Sequence, residues 1–433
     1  MRVTLVLFAL VAFSFAGTTE EWKERIIYQF LTDRFANSEG STAPCNNLSD
    51  YCGGNYQGAI QHLDYIQEMG FTAVWISPIV LNTPNGYHGY WAQNWYEVNP
   101  YFGTADDLHQ FIEECHNRDI WVMIDVVANH VGPVGYDYSS IVPFNQSSHY
   151  HNCNSCPVQC TIQNYVCFTD DIELCRTSGL PDLNQTNSFV GDTLISWVSD
   201  LVDRFEPDGL RIDTVPEIDP NFWKQYQQSA GIYAVGEVFT SDVSCIGTYS
   251  QVLDGVLSYP MYFTLRNVFQ DNYSMNTINT TLNQYNQNLA DPGAVGSFID
   301  NHDNPRFLCS DYDIIAYKSA LTYILTGAGI PIIYYGTEQE FSGCNDPNNR
   351  EVLWPTNYNT NAELFQFIKT INDYRNSVNL GQYKQVQSYS NDNEFYAFFR
   401  GDTWVGLTNQ KSNIERNICY HPYSEGQTLC NIF

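Results

Sequence analysis

The sequence predicts an α/β fold, a (β/α)₈ barrel of the TIM type, on three observations. Short apolar runs alternate with helical periods along most of the chain, and eight such runs can be counted, the number that closes a parallel barrel. The longest of them is apolar on both faces, as a buried parallel sheet requires. Polar side chains recur where several of the runs end, which is the rim that carries chemistry in such barrels.

In chain order, residues 1–16 carry one Arg, an apolar core and a small-residue end at Ala16. They read as a signal peptide, too short to span a bilayer. An exported, soluble protein is therefore expected, outside the cell or in the lumen of a digestive or lysosomal compartment. Residues 25–31 read as a strand, 56–69 as a helix stopped by Gly70, and 71–76 as a strand. A helix is predicted over 105–117 because Thr104 and Asp107 have capping-box spacing. The run 120–127 is the third strand.

Between 129 and 187 periodicity disappears into Gly, Pro, Ser, Asn, Tyr and Cys, so an irregular subdomain is expected there. The alternation then resumes, with strands at 209–213, 232–237, 255–257, 294–299 and 330–334. Helices are expected at 189–205, 220–228, 275–289, 314–325 and 362–376. From 379 to 433 short Tyr- and Phe-rich alternating segments predict a small antiparallel β domain. The division is thus a barrel over 17–128 and 188–378, an insert over 129–187 and a C-terminal β domain over 379–433.

Thirteen Cys in an exported chain predict several disulfides and at least one free thiol. Cys45 and Cys52 form the expected local bridge. Cys153, Cys156, Cys160, Cys167 and Cys175 crowd one region, where an oxidising compartment favours disulfides over zinc. Cys115, within a helical pattern, is the candidate free thiol, and Cys419 with Cys430 is a candidate staple of the tail. The formal charge of −29 argues against nucleic acid and anionic membranes as partners and favours a monomer. Sequons at Asn47, Asn145, Asn184, Asn272 and Asn279 are compatible with glycosylation.

The chemistry concentrates at four strand ends. The third strand ends in Asp125 with Asn129 and His130 after it, the fourth in Arg211 and Asp213, the fifth in Glu237, and the seventh in a segment that carries His302 and Asp303. Side chains two apart on a strand share a face, so Arg211 and Asp213 point together and the guanidinium orients the carboxylate. Asp213 and Glu237 are the pair that glycoside cleavage needs, one attacking the anomeric carbon and one protonating the leaving oxygen. Val235, Val238 and Phe239 would raise the pKa of Glu237. Asp303 suits sugar hydroxyls and a cationic transition state, and His130 and His302 are natural hydroxyl donors.

These four segments resemble the signature segments of the α-amylase family of glycoside hydrolases. Tyr87 to Trp91, Leu180 to Asp182 and Asn345 to Arg350 extend the likeness, and Cys45 to Cys52 followed by Gly53 and Gly54 is similar to the fungal-type secreted members. The resemblance implies a retaining endo-hydrolase of α-1,4-glucans such as starch or glycogen. Asp213 would be the nucleophile, Glu237 the acid/base and Asp303 the transition-state stabiliser. Tyr90, Trp91, His130, Arg211, His302, Asp346 and Arg350 would contact glucose units. It also implies a structural calcium ion held by the side chains of Asn129 and Asp182, with contributions from Glu173 and the main-chain carbonyl of Glu217. Two departures stand out: Pro216 and Glu217 occupy the place of a Lys-His pair, and the tail is shorter than the usual C-terminal β-sandwich. The competing readings are an exo-acting α-glucosidase or a glucanotransferase with the same three carboxylates, and a non-catalytic glycan-binding relative. The last predicts loss of a catalytic carboxylate, and all three are present.

Overall fold

Eight short parallel strands form one sheet that closes on itself. The computed structural model describes residues 17–156 and 160–433, so the proposed signal peptide lies outside the described residues. In chain order the strands are β1 (Ile27–Phe30), β2 (Ala73–Ile76), β3 (Val80–Asn82), β4 (Ala92–Val98), β5 (Trp121–Val126), β6 (Gly209–Ile212), β7 (Tyr233–Gly236), β8 (Gly255–Val256), β9 (Gly296–Ser297), β10 (Ile330–Tyr334), β11 (Val386–Tyr389), β12 (Phe395–Arg400) and β13 (Thr403–Thr408). The large sheet runs β8-β7-β6-β5-β2-β1-β10-β9. Its two ends meet where Leu257 pairs with Gly296 and the Ser258 N–H donates to the Gly296 carbonyl at 2.9 Å.

The barrel interior is filled by Ile27, Ala73, Trp75, Met123, Tyr233, Val235, Ile330 and Ile332, all buried. A second apolar layer lies between the strands and the surrounding helices, where Leu194, Val198, Leu201 and Phe205 of helix Ser188–Phe205 pack. This arrangement explains why the strands read as continuous apolar runs. The capping box of helix Ala105–His116 is present, with Thr104 and Asp107 exchanging side-chain bonds. The expected helix over 56–69 is two pieces, Tyr56–Gln61 and Leu63–Glu68, because His62 leaves the helical conformation. The β3–β4 hairpin and the helices Val243–Tyr249 and Tyr259–Phe269 had no counterpart in the sequence reading. Their periodicity is short or interrupted by Pro260 and Gly247.

Between β5 and helix Ser188–Phe205 the described residues form short turns of helix and isolated bridges. Covalent links hold this stretch: Cys153–Cys160, Cys156–Cys175 and Cys167–Cys245, the last tying it to helix Val243–Tyr249. Cys45–Cys52 is bridged as expected, and Cys309–Cys344 is a further bridge. Cys115 is free and buried. The expected staple between Cys419 and Cys430 is absent: both thiols are free and exposed, in a tail with no regular structure after β13. Strands β11 to β13 form a three-stranded antiparallel sheet. Arg400 fastens it to the barrel through the carbonyls of Gly381, Tyr383 and Gly327. Among the described residues no helix is long and apolar enough to cross a membrane.

Candidate active site

Arg211 sits at the centre of the barrel's C-terminal rim, because β6 and β5 pair with Arg211 opposite Asp125. Its Nη1 donates to Asp125 Oδ1 at 3.0 Å and to Asp213 Oδ1 at 2.7 Å, and its Nη2 lies 2.9 Å from Glu237 Oε2. One guanidinium therefore serves three buried carboxyl groups. Asp125 is also fixed by Tyr90, whose hydroxyl donates at 2.6 Å, and by the Trp75 indole N–H at 3.1 Å.

Glu237 follows β7 and accepts from the Thr214 N–H at 3.2 Å and the Tyr259 hydroxyl at 3.1 Å. Thr214 adopts a left-handed conformation with φ 49°, a strained choice for a β-branched residue that turns its N–H toward the carboxyl group. Burial raises the pKa of Glu237 to about 8 against the opposing pull of Arg211, with the charges of Asp213 and Asp303 adding to the rise. One member of the expected apolar wall, Phe239, is nearly half exposed, Val235 and Val238 are buried, and the Tyr259 hydroxyl contacts the carboxyl group directly. Asn301 holds the Tyr259 hydroxyl at 2.9 Å.

Asp303 stands on the opposite side of the rim. His302 Nε2 is 3.2 Å from Asp303 Oδ2, and Arg350 Nη2 is 3.6 Å from Oδ1. Gln29 donates to His302 Nδ1 at 2.8 Å, which leaves the ring proton on Nε2, facing Asp303. Burial together with Arg350 and Arg211 lowers the pKa of His302, so the ring is neutral. Burial raises that of Asp303. The Tyr90 ring stacks on His302 with a 2° interplanar angle and a 5.1 Å centroid separation. Trp91 meets His88 edge-on. Gly89 makes this turn possible: its φ is 93°, and a Cβ there would come within 2.7 Å of Pro78.

Asp346 and Arg350 form an ion pair at 3.1 Å, bridged by the Tyr87 hydroxyl. His130 is buried, and its Nε2 faces the Tyr90 carbonyl at 3.1 Å. The rim thus gathers Arg211, Asp213, Glu237, Asp303, His302, Tyr90 and Arg350, and His130 sits against the Tyr90 carbonyl, near enough to Asp213 for that charge to act on its ring. The sequence reading assigned no role to Trp75, Gln29, Tyr259 or Asn301, and it pointed to Asp125 and Tyr87 only as members of their segments. Asp125 and Gln29 had a local signal, each being a polar residue inside an apolar strand. Tyr259 had none, since it reaches the site from the first turn of a helix.

Beside the rim, His130 pairs with Asp182 through the backbone, which sets Asn129 next to Asp182. Asn129 Oδ1 is buried with no hydrogen-bond partner among the described residues. Asp182 accepts from His151 at 2.6 Å, and burial raises its pKa to about 7. Glu173 and Glu217 line one cavity of about 410 Å³ with His151 and Asp219. Among the described residues no three His, Cys, Asp or Glu side chains are gathered as a ready metal cluster. The unpartnered Asn129 oxygen beside a buried carboxylate nevertheless fits a hard cation with mixed oxygen ligands. Glu217 Oε2 is likewise buried without a partner among the described residues.

The alpha-amylase catalytic-domain family matches residues 29–421. An alpha-amylase of Saccharomycopsis fibuligera is 40% identical over 379 residues, covering 83% of this chain and 75% of that protein. Alpha-amylase 2 of Schwanniomyces occidentalis is 41% identical over 374 residues, with 82% and 72% covered. The solved structure of an alpha-amylase from Malbranchea cinnamomea superposes with a TM-score of 0.85 at 38% identity, covering 91% of this chain and 86% of that one.

Proposed function

Because the chain belongs to the alpha-amylase family of glycoside hydrolases and is an alpha-amylase, we propose that it cleaves internal α-1,4 bonds of starch or glycogen with retention. Asp213 is the nucleophile, Glu237 the acid/base and Asp303 the stabiliser of the oxocarbenium-like transition state. The observation that carries this reading is the single Arg211 guanidinium touching both Asp213 and Glu237. Contact with one guanidinium supports a shared task for the two carboxyl groups, one attacking the anomeric carbon while the other protonates the leaving oxygen.

Arg211 orients Asp213 for attack. Glu237 has the raised pKa of a general acid, so it holds a proton at neutral pH and gives it to the leaving oxygen. In the second half-reaction its carboxylate takes a proton from water, and the ester to Asp213 is hydrolysed. Tyr90 offers an aromatic face, His302 holds its Nε2 proton toward Asp303, and Asp346 with Arg350 binds more distant hydroxyls. Trp91 and His130 complete the sugar-contacting set.

Asn129, Asp182, Glu173 and the Glu217 carbonyl would hold calcium, which supplies positive charge at the junction of the 129–187 insert with the barrel over 17–128 and 188–378. Chelation is expected to lower the melting temperature of wild type and to leave that of Asp182→Asn unchanged in a calorimetric scan. Five disulfides and the exposed Asn47, Asn145 and Asn272 sequons support an extracellular glycoprotein. The 379–433 segment serves as a reduced C-terminal domain.

The test is product analysis on soluble starch and a blocked maltoheptaose. Rapid viscosity loss with α-configured short products, abolished in Asp213→Asn and Glu237→Gln by on the order of 10⁴-fold or more, is expected. Release of glucose only from unblocked ends, or products longer than the substrate, would replace the endo-hydrolase by an exo-enzyme or transferase.

A further inference from the structure

We propose that Arg34 is a positioning residue that couples the Cys45–Cys52 loop to the Tyr87, Asp346 and Arg350 cluster and, through Arg350, to Asp303. The inference rests on the reading of Asp303, Asp346 and Arg350 as substrate-contacting groups.

Arg34 is fully buried, in the short helix Thr32–Phe35 that follows β1. Its Nε donates to Asp33 Oδ2 at 2.8 Å. Asp33 in turn accepts from the Cys52 N–H at 2.8 Å and the Gly53 N–H at 3.1 Å. Arg34 Nη2 donates to the carbonyls of Leu48 at 2.9 Å and Asp50 at 2.8 Å, both inside the disulfide loop. Nη1 donates to the Arg350 carbonyl at 2.8 Å. The Arg34 Cζ lies over the Tyr87 ring, 3.9 Å from its centroid.

Each contact has a consequence at the cleft. Tyr87 donates to Asp346 at 3.3 Å and accepts from Arg350 Nη1 at 3.2 Å, so the ring under Arg34 fixes the hydroxyl between them. Arg350 Nε donates to the His302 carbonyl at 3.0 Å while Nη2 reaches Asp303. A guanidinium that grips the main chain at Arg350 and stacks on Tyr87 sets the origin from which the Arg350 side chain extends. A lysine has neither the planar face nor the fork needed to bond four acceptors in different directions. The chain on the other side is anchored by a covalent bridge, so the disulfide loop acts as the fixed end of the arrangement.

The test uses the full chain with calcium and compares Arg34→Lys, Tyr87→Leu, their combination, and Cys45→Ser with Cys52→Ser. Thermal unfolding, kcat and KM on blocked maltoheptaose are recorded for each, with Asp303→Asn as the control of the underlying reading. The expected result is a kcat/KM lower by about tenfold to a hundredfold in Arg34→Lys. The loss in the combined variant should equal that of the worse single variant, and the cysteine variant should show a smaller loss in the same direction. A kcat/KM for folded Arg34→Lys within about twofold of wild type, or losses that multiply in the combined variant, overturns the proposal. If Arg34→Lys does not fold, Tyr87→Leu, the cysteine variant and those two combined carry the test. Losses that combine without multiplying support the link, and independent losses overturn it. An active Asp303→Asn instead refutes the assignment of the catalytic carboxylates, a separate failure.

Discussion

Two arginines with completely buried side chains organise opposite ends of the same cleft, and they do it differently. Arg211 binds side chains: three carboxyl groups converge on it, two of them reactive. Arg34 binds mostly main chain, with three carbonyls, one carboxylate and one aromatic face. The first arrangement leaves an excess of carboxyl groups over cations in a buried space, which keeps one proton on the rim at neutral pH. The second is electrically closed, since Arg34 and Asp33 balance, and it converts a buried charge into chain geometry. A catalytic centre and a scaffold joint can thus use the same residue type, separated by what surrounds the guanidinium.

The comparison breaks most sharply at Arg211. Arg211→Lys should abolish measurable starch hydrolysis and cost about 3–5 kcal/mol in urea unfolding, because a single ammonium cannot satisfy three buried carboxyl groups. Glu237→Gln separates the two consequences. The ordinary pKa of Glu237 is 4.5 and the folded one about 8, so between those values the unfolded chain has released a proton that the folded chain retains. Folding stability from this group is therefore present below about pH 4.5 and is lost as pH rises toward 8. The inactive Glu237→Gln protein should accordingly melt higher than wild type at pH 7 and similarly to it at pH 4, in calorimetric scans across that range.

A smaller effect is expected at the other arginine. Removing the Cys45–Cys52 bridge, which spans a sequence separation of 7, should cost about 2 kcal/mol by loop-closure entropy, read from the urea midpoint. The smallest lies far from both. Arg416 pairs with Asp392 and Glu394 in a half-buried cluster at the edge of the small sheet. Arg416→Gln should leave the unfolding midpoint unchanged in high salt, since such pairs are screened.

Much of the Arg211 centre was legible in the sequence. The period-2 rule put Arg211 and Asp213 on one face, and the strand rhythm put Glu237 and Asp303 on the same rim. The sharing of Arg211 by a third carboxyl group depends on the register between β5 and β6, which no local pattern encodes, although Asp125 interrupts an apolar strand and stands at the matching position. The Arg34 centre was invisible. Its partners are the carbonyls of Leu48, Asp50 and Arg350, and a carbonyl carries no residue-type signal. The tail shows the same limit: Cys419 and Cys430 suggested a staple by type and spacing, yet both thiols are free in the structure.

What the sequence determined by itself is the set of local facts: the apolar strands, the capping box at Thr104, the residues at strand ends and the family to which the chain belongs. These follow from periodicity and side-chain chemistry, which are properties of neighbouring residues. The tertiary structure alone decided which carboxyl groups share Arg211, how Tyr259 came to face Glu237, and what Arg34 holds. Those depend on chain segments up to 316 residues apart, as in the bond from Arg34 to Arg350, and such meetings are fixed by barrel closure and packing rather than by any local pattern.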